Sequence, residues 1–257
     1  MAKTAGIVVI GNEILSGKVV DANSPYLCQE LRPLGVDVRR IVVLPDDVEV
    51  IAGHVAAFAS AFDYVLTTGG VGPTHDDVTI EAVARGLGRQ VVIQPDLYAL
   101  LQQHWAERPA AVRDKMASVP AGTQLLMEPS LPIPVLLVGN VYVFPGIPKL
   151  FRRLFDDIKE RFRELPYHAR HVYVRAREST FAHHLEAVLA AFPDLMLGSY
   201  PEVDNPAYRV KLTLESKDPA YLKRAHEHLL ALLPADVVAD PRFHEDRRGD
   251  APVVWRE

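Results

Sequence analysis

Three glycines and three aspartates in this chain are placed where they could handle a phosphate. Gly69, Gly70 and Gly72 fall within four positions in Thr67-Thr68-Gly69-Gly70-Val71-Gly72-Pro73-Thr74-His75-Asp76-Asp77, and Asp46 follows another apolar run at Pro45. Glycines adopt backbone angles that other residues avoid and let a ligand approach the main chain. A helix opening just behind them, near Val78, offers unpaired N–H groups and a positive dipole end to an anion. Acids beside such a cradle would repel the phosphates it holds, so a cation is expected with them. Carboxylate oxygens suit hard divalent ions, which bridge phosphate oxygens to one or two protein acids and activate water. Asp46, Asp76 and Asp77 are the candidate ligands for such an ion, Mg, Mn or Co, with K as a further candidate. Each of these acids can equally serve as a helix cap. His75 either bonds a phosphate or shuttles a proton, or is a solvated loop residue. The common nucleotide fingerprints do not fit. No lysine follows the glycines as in a Walker A loop, and the last glycine position of a dinucleotide motif holds His75.

The elements that position these residues follow from periodicity. Ala5–Ile10 is a continuous β-branched run, read as a buried parallel strand. Ser24-Pro25 starts a helix that stops before Gly35. A strand over Val36–Leu44, a helix from Pro45-Asp46-Asp47 to Ala61 and a strand at Tyr64-Val65-Leu66 come next. The helix over residues 45–61 sets Val50, Ile51, Val55 and Phe58 on one face. After the glycine loop and its helix come Val91–Ile93, a helical pattern from Pro95 to Ala117 broken at Pro109, and short strands near Leu125 and at Val135–Val138. A strand at Val141–Phe144 then leads through Pro145-Gly146-Ile147-Pro148 into a helix over Lys149–Arg163, with Leu150, Leu154, Phe155 and Ile158 on one side. Lys149 either meets an anionic ligand or is a surface lysine. Strands alternating with helices predict an α/β fold, a doubly wound and mainly parallel sheet. In such a sheet ligands collect at the carboxyl ends of the strands, and four of these ends carry Gly11–Glu13, Pro45–Asp47, Gly69–Asp77 and Pro145–Pro148.

Glu164-Leu165-Pro166 breaks the pattern. Residues 1–165 are thus one α/β domain, and residues 166–240 a small βαββαβ unit of ferredoxin-like order. In that unit Tyr208, Val210, Leu212 and Leu214 alternate with polar residues. Gly198-Ser199-Tyr200-Pro201 is read as turn chemistry between its central strands, with Tyr200-Pro201 exposed. The unit has no glycine loop and is expected to serve assembly or to close one side of the phosphate pocket rather than to catalyse. Residues 241–257 form a polar tail in which Val253-Val254-Trp255 can dock.

At 257 residues and 49% hydrophobic, the chain has ample core for this plan. A net charge of −5 without a basic run argues against nucleic acid as a partner. The single cysteine, Cys28, excludes an internal disulfide and reads as buried filler. The N-terminus has no signal-peptide pattern and no stretch reaches about 20 apolar residues, so no membrane is expected and the cytoplasm is the expected location.

Thr67-Thr68-Gly69-Gly70-Val71-Gly72-Pro73 with Asp77 resembles the signature loop of the molybdopterin-binding fold of MoaB/Mog-type adenylyltransferases. Gly11-Asn12-Glu13, Asp21-Ala22-Asn23, Gly72 to Asp77 and Pro145 to Pro148 are similar to the N-terminal domain of competence/damage-inducible protein A. The likeness to the molybdopterin-binding-like domain of eukaryotic FAD synthase extends further, over Gly198–Pro201 and Val210–Leu214, and spans about residues 5 to 235. The resemblance implies metal-dependent hydrolysis of a nucleotide diphosphate such as FAD or ADP-ribose. The alternatives are molybdopterin binding with adenylyl transfer, or a nucleotide or pterin sensor without turnover. It carries two acids over, at the positions of Asp46 and Asp77. With the turns it gives an expected ligand-binding set of Thr68, Gly69, Gly70, Gly72, Pro73, Thr74, Gly11, Asn12, Glu13, Pro145, Gly146 and Pro148, and a catalytic set of Asp46, Asp77 and His75. The implied partners are a small nucleotide or pterin ligand and further copies of the chain, as a dimer or trimer.

Overall fold

Runs of β-branched residues with no polar face set the architecture, because they can be buried on both sides. The computed structural model describes residues 3–127, 133–203 and 205–239; residues 241–257, including Val253–Trp255, lie outside them. The chain divides into two units, the first ending at Pro166.

The first unit opens with β1 (Thr4–Ile10), a short α1 (Asn12–Leu15), α2 (Asn23–Leu31), β2 (Asp37–Leu44), α3 (Val48–Ala61) and β3 (Tyr64–Thr68). It continues with α4 (Thr79–Gly86), β4 (Val91–Ile93), α5 (Pro95–His104), α6 (Ala110–Ala117), β5 (Ser118–Pro120), β6 (Gln124–Leu126), β7 (Val135–Val138), β8 (Val141–Phe144) and α7 (Pro148–Ile158). Six strands form one sheet in the order β2-β1-β3-β8-β7-β6. The first four are parallel, β7 runs antiparallel to β8, and β6 pairs antiparallel with β7. Alternate residues of β1 face opposite layers. Ala5, Ile7 and Val9 pack with Leu27 and Leu31 of α2 and with Phe151, Leu154 and Phe155 of α7. Val8 and Ile10 pack with Ile51, Val55 and Phe58 of α3 and with Ala82 and Val83 of α4. The expected doubly wound, mainly parallel sheet is therefore the one observed. β4 and β5 form a separate antiparallel pair, and α5 and α6 build a small core of Leu97, Leu101, Ala117 and Val119.

Several local expectations are corrected. Val50 is exposed, because Ile51, Val55 and Phe58 already fill the i, i+4, i+7 stripe of α3 and Val50 is turned about 100° from Ile51. Phe151 joins Leu154, Phe155 and Ile158 as the fully buried stripe of α7, and Leu150 packs against the same core partly buried. The last helix of the unit ends at Ile158 and tightens into a 3-10 turn over Lys159–Phe162. The start of α2 belongs to Asp21, whose carboxylate accepts from the Asn23 and Ser24 amides at 3.0 and 3.1 Å, while Ser24 lies inside the helix. β5 was not expected from the sequence. Cys28 is only half-buried, with its thiol pKa pushed up by burial.

The second unit comprises β9 (His168–Val174), α8 (Glu178–Ala191), β10 (Met196–Pro201), β11 (Val210–Ser216) and α9 (Pro219–Leu232). Its antiparallel sheet has the order β10-β11-β9, and both helices contribute to one core with Val172, Leu212 and Leu214. The last strand of the expected βαββαβ order is reduced to one bridge, Val238 to Val174. Gly198-Ser199-Tyr200-Pro201 is not a turn. It is strand, paired with Thr213, Leu212, Lys211 and Val210. Because β10 is an edge strand, its terminal proline removes no ladder bond that a neighbour needs. Tyr208 stands outside β11, whose buried alternation runs Val210, Leu212, Leu214 and Ser216.

Candidate functional site

Four adjacent parallel strands, β2, β1, β3 and β8, end along one sheet edge, and each end continues into one of the turns singled out by chemistry. The chain leaves β1 in one direction and β3 in the other, so the Gly11 and Gly69 turns flank a reversal of strand order, the usual ligand position in open α/β sheets.

Hydrogen bonds tie these turns together. Asn12 donates its backbone N–H to Asp46 Oδ2 at 2.8 Å, joining the first turn to the second. Asn23 sends its amide to Thr68 Oγ1 and to the Gly146 carbonyl, both at 2.9 Å, and Thr68 donates to the Pro145 carbonyl at 3.1 Å. These bonds hold the end of β3 against the end of β8. Gly69 has φ +103° and a Cβ there would collide with the Ile10 carbonyl, while Gly70 has φ +63° and faces the Thr79 hydroxyl. Only glycine fits this turn without strain. Thr79 fixes it from behind, donating Oγ1 to the Gly69 carbonyl at 2.8 Å and its N–H to the Gly70 carbonyl at 2.9 Å.

The acids divide their roles. Asp47 caps α3, accepting from the Glu49 and Val50 amides at 2.9 and 3.0 Å, which leaves Asp46 free for the neighbouring turn. Asp77 does not cap α4, whose N-cap is Val78 with no side-chain bond. Its Oδ2 instead accepts from the Thr74 N–H at 2.8 Å and Oγ1 at 2.6 Å, and its carboxylate lies against Gly72. Thr74 Oγ1 is also 2.5 Å from Asp76 Oδ1, and that contact, with His75 and Lys115 nearby, holds the Asp76 carboxyl below its usual range. Among the described residues, no protein donor reaches Oδ1 of Asp46 or of Asp77. Nor do three or more His, Cys, Asp or Glu side chains among them converge as a ready-made metal site. The donor set suits a hard cation that takes one or two carboxylates and completes its shell with substrate oxygens and water.

Of the other expected residues, Pro73, Thr74 and His75 are exposed on the loop. Glu13 folds back over Gly11. Pro148 is the first residue of α7, and Lys149 is exposed beside it. Three residues beyond those expected prove to be part of the arrangement. Asn23 and Thr79 are buried, and Lys115 of α6 donates its ammonium to the Thr74 carbonyl. The Asp-Ala-Asn run hinted at the first. The last has no signal in the sequence, since 41 residues separate the partners. Beside the loop lies a cavity of about 560 Å³, with Gly72, His75 and Asp77 in its wall. No helix among the described residues is long and apolar enough to cross a membrane.

Residues 6–164 match the family described as a probable molybdopterin binding domain, and residues 166–242 match the middle domain of FAD synthase. A protein of Archaeoglobus fulgidus is 37% identical over 227 residues, 88% of this chain and 96% of that protein. The probable FAD synthase of Caenorhabditis elegans is 34% identical over 266 residues, covering 92% of this chain and 51% of its own length. The chain thus spans about half of that relative. The crystal structure of the protein CinA from Thermoplasma acidophilum, of unknown function, superposes with a TM-score of 0.58 at 30% identity, over 63% of this chain and 100% of that one. With its model matched over more than half of the chain, the chain belongs to the molybdopterin-binding-domain family, and the stretch behind it is similar to the middle domain of FAD synthase.

Proposed function

We propose that this chain hydrolyses a nucleotide diphosphate of the FAD or ADP-ribose type at the Gly69–Asp77 loop. The observation that carries the reading is a left-handed Gly69-Gly70 turn on the same sheet edge as two carboxylates, Asp46 after β2 and Asp77 after β3, each holding one oxygen without a protein donor among the described residues. The loop amides and the uncapped start of α4 bind the phosphate oxygens. Asp46 and Asp77 would hold a divalent ion, which would draw charge off a phosphate oxygen and acidify water. Thr74 keeps the Asp77 carboxylate oriented through two bonds, and His75, exposed on the same loop, would exchange a proton with the leaving phosphate.

Purified protein incubated with FAD, ADP-ribose, NAD or ATP in Mg, Mn or Co should release AMP from at least one of them. No release from any would defeat the hydrolase reading. Asp77→Asn should abolish turnover and retain nucleotide binding, and unchanged turnover would remove Asp77 from the mechanism. The family description favours a second reading, in which the loop holds a pterin phosphate. Tight molybdopterin binding without nucleotide hydrolysis would select it.

A further inference from the structure

The cavity beside the glycine loop, at about 560 Å³, exceeds what a diphosphate requires and falls within the range of pockets that enclose a whole small molecule. Its walls are mainly apolar: Val78 is the N-cap of α4 and Ile80 comes from that helix, Leu97 and Leu101 from α5, Met116 from α6 and Leu136 from β7. Its polar groups include Asp77 and Lys115, and both of these also touch Thr74 in the phosphate loop. Gly72 and Asp77 belong to both spaces, so the cavity is a direct continuation of the loop. The Lys115 bond to the Thr74 carbonyl fastens α6 to the loop, which gives the cavity a fixed wall.

We propose that this cavity seats the flat, uncharged ring of a nucleotide whose phosphates lie on the Gly69–Asp77 loop. The proposal rests on the reading of that loop as a phosphate site. The polar side chains in its wall, His75, Asp77, Glu81, Lys115 and Ser118, are outnumbered by apolar ones, and two of them are carboxylates that would repel a second phosphate; a charged ring would be desolvated at greater cost. A neutral aromatic ring loses little and buries apolar area on both faces. The ring, not the diphosphate, then decides which nucleotide is retained.

Equilibrium binding of FMN, AMP and inorganic pyrophosphate to the full chain in Mg tests this. FMN or AMP should bind about tenfold or more tightly than pyrophosphate. Met116→Trp and Ile80→Trp fill the cavity from different helices, and each should weaken the nucleotide by about tenfold and leave pyrophosphate unchanged. Nucleotide binding no tighter than pyrophosphate, or an equal effect of the variants on both, overturns the proposal. Should a filled variant fail to fold, displacement of an anilinonaphthalene sulfonate dye from the wild-type chain decides. Nucleotide must displace the dye and pyrophosphate must not. Absence of hydrolysis with ring-dependent binding intact would sink the hydrolase reading alone. Hydrolysis with an unchanged KM in both folded variants would sink the ring site alone.

Discussion

Thr79→Val removes one oxygen from behind the glycine loop and keeps the side chain close to its original shape. Thr79 is fully buried, and its hydroxyl donates to the buried Gly69 carbonyl at 2.8 Å. Valine leaves that carbonyl without its donor. An unsatisfied buried carbonyl costs about 1–3 kcal/mol, and the backbone N–H bond from residue 79 to Gly70 persists, so a loss near 2 kcal/mol is expected. For a unit of this size that corresponds to a Tm lower by about 4–8 °C. Thr79→Ser is the control. It keeps the hydroxyl and removes one methyl, for about 1 kcal/mol. Thermal unfolding of the two variants beside the wild type, with amide exchange of Gly69 and Gly70 as a local readout, checks the argument. A Thr79→Val protein within about 0.5 kcal/mol of wild type, or a serine variant as weak as the valine one, would refute the claim that the hydroxyl holds the turn.

Two glycines should respond oppositely to alanine. Gly53 lies in the exposed interior of α3 with open space around its missing Cβ, so Gly53→Ala should stabilise by about 0.5–1 kcal/mol in denaturant titrations. Gly69→Ala must accommodate φ +103° and a clash with the Ile10 carbonyl, so it should lose well over the roughly 1–2 kcal/mol of the left-handed penalty and distort ligand binding. Asp47→Ala removes the α3 cap and should cost about 1 kcal/mol in the same titration. Asp63 has its carboxyl held at about 2 by the Lys3 ammonium, with help from the Thr4 N–H. A lowered folded pKa means that this stabilisation is present above the unfolded value near 3.8 and is lost as pH falls toward 2. Asp63→Asn should therefore flatten the stability profile between those values, by no more than about 1 kcal/mol for so open a pair.

The parallel sheet was legible because its strands declare themselves locally. Ala5–Ile10 is apolar throughout, and the glycine run after Leu66 announces a strand-to-helix turn. Which residues fasten that turn was not legible, because the fasteners are distant in sequence. Asn23 meets Thr68 across 45 positions and Gly146 across 123. The cavity was hidden for the same reason. Leu97, Leu101 and Met116 read as ordinary core spacing, and α5 and α6 do bury Leu97 and Leu101 in a small core of their own. That the same helices also wall a space open to the loop depends on where they pack. In the second unit the misreading ran the other way. Gly198 and Pro201 are turn residues by composition, yet ladder partners in β11 hold them in an edge strand.

The two acid pairs show how similar sequences reach different ends. In Pro45-Asp46-Asp47 the second acid takes the first amides of α3, and this frees the first to accept from Asn12 in the adjacent turn. In His75-Asp76-Asp77 the second acid turns away from α4, because Thr74 presents both an N–H and a hydroxyl to it. Two consequences follow from that choice. Beyond the Thr79 N–H, which the Gly70 carbonyl takes, the first amides of α4 are left without a side-chain cap, as an anion site requires. The Asp77 carboxylate is held at the cavity wall, one residue ahead of the N-cap Val78, where it would face the proposed cation. Had Asp77 capped α4, the same residue would have closed the site to phosphate. Thr74 is therefore the residue on which the open state of the loop depends, and Thr74→Val should let Asp77 swing to the helix and weaken pyrophosphate binding. A variant that binds pyrophosphate as the wild type does would show that the Thr74 hydroxyl does not control access to the α4 amides.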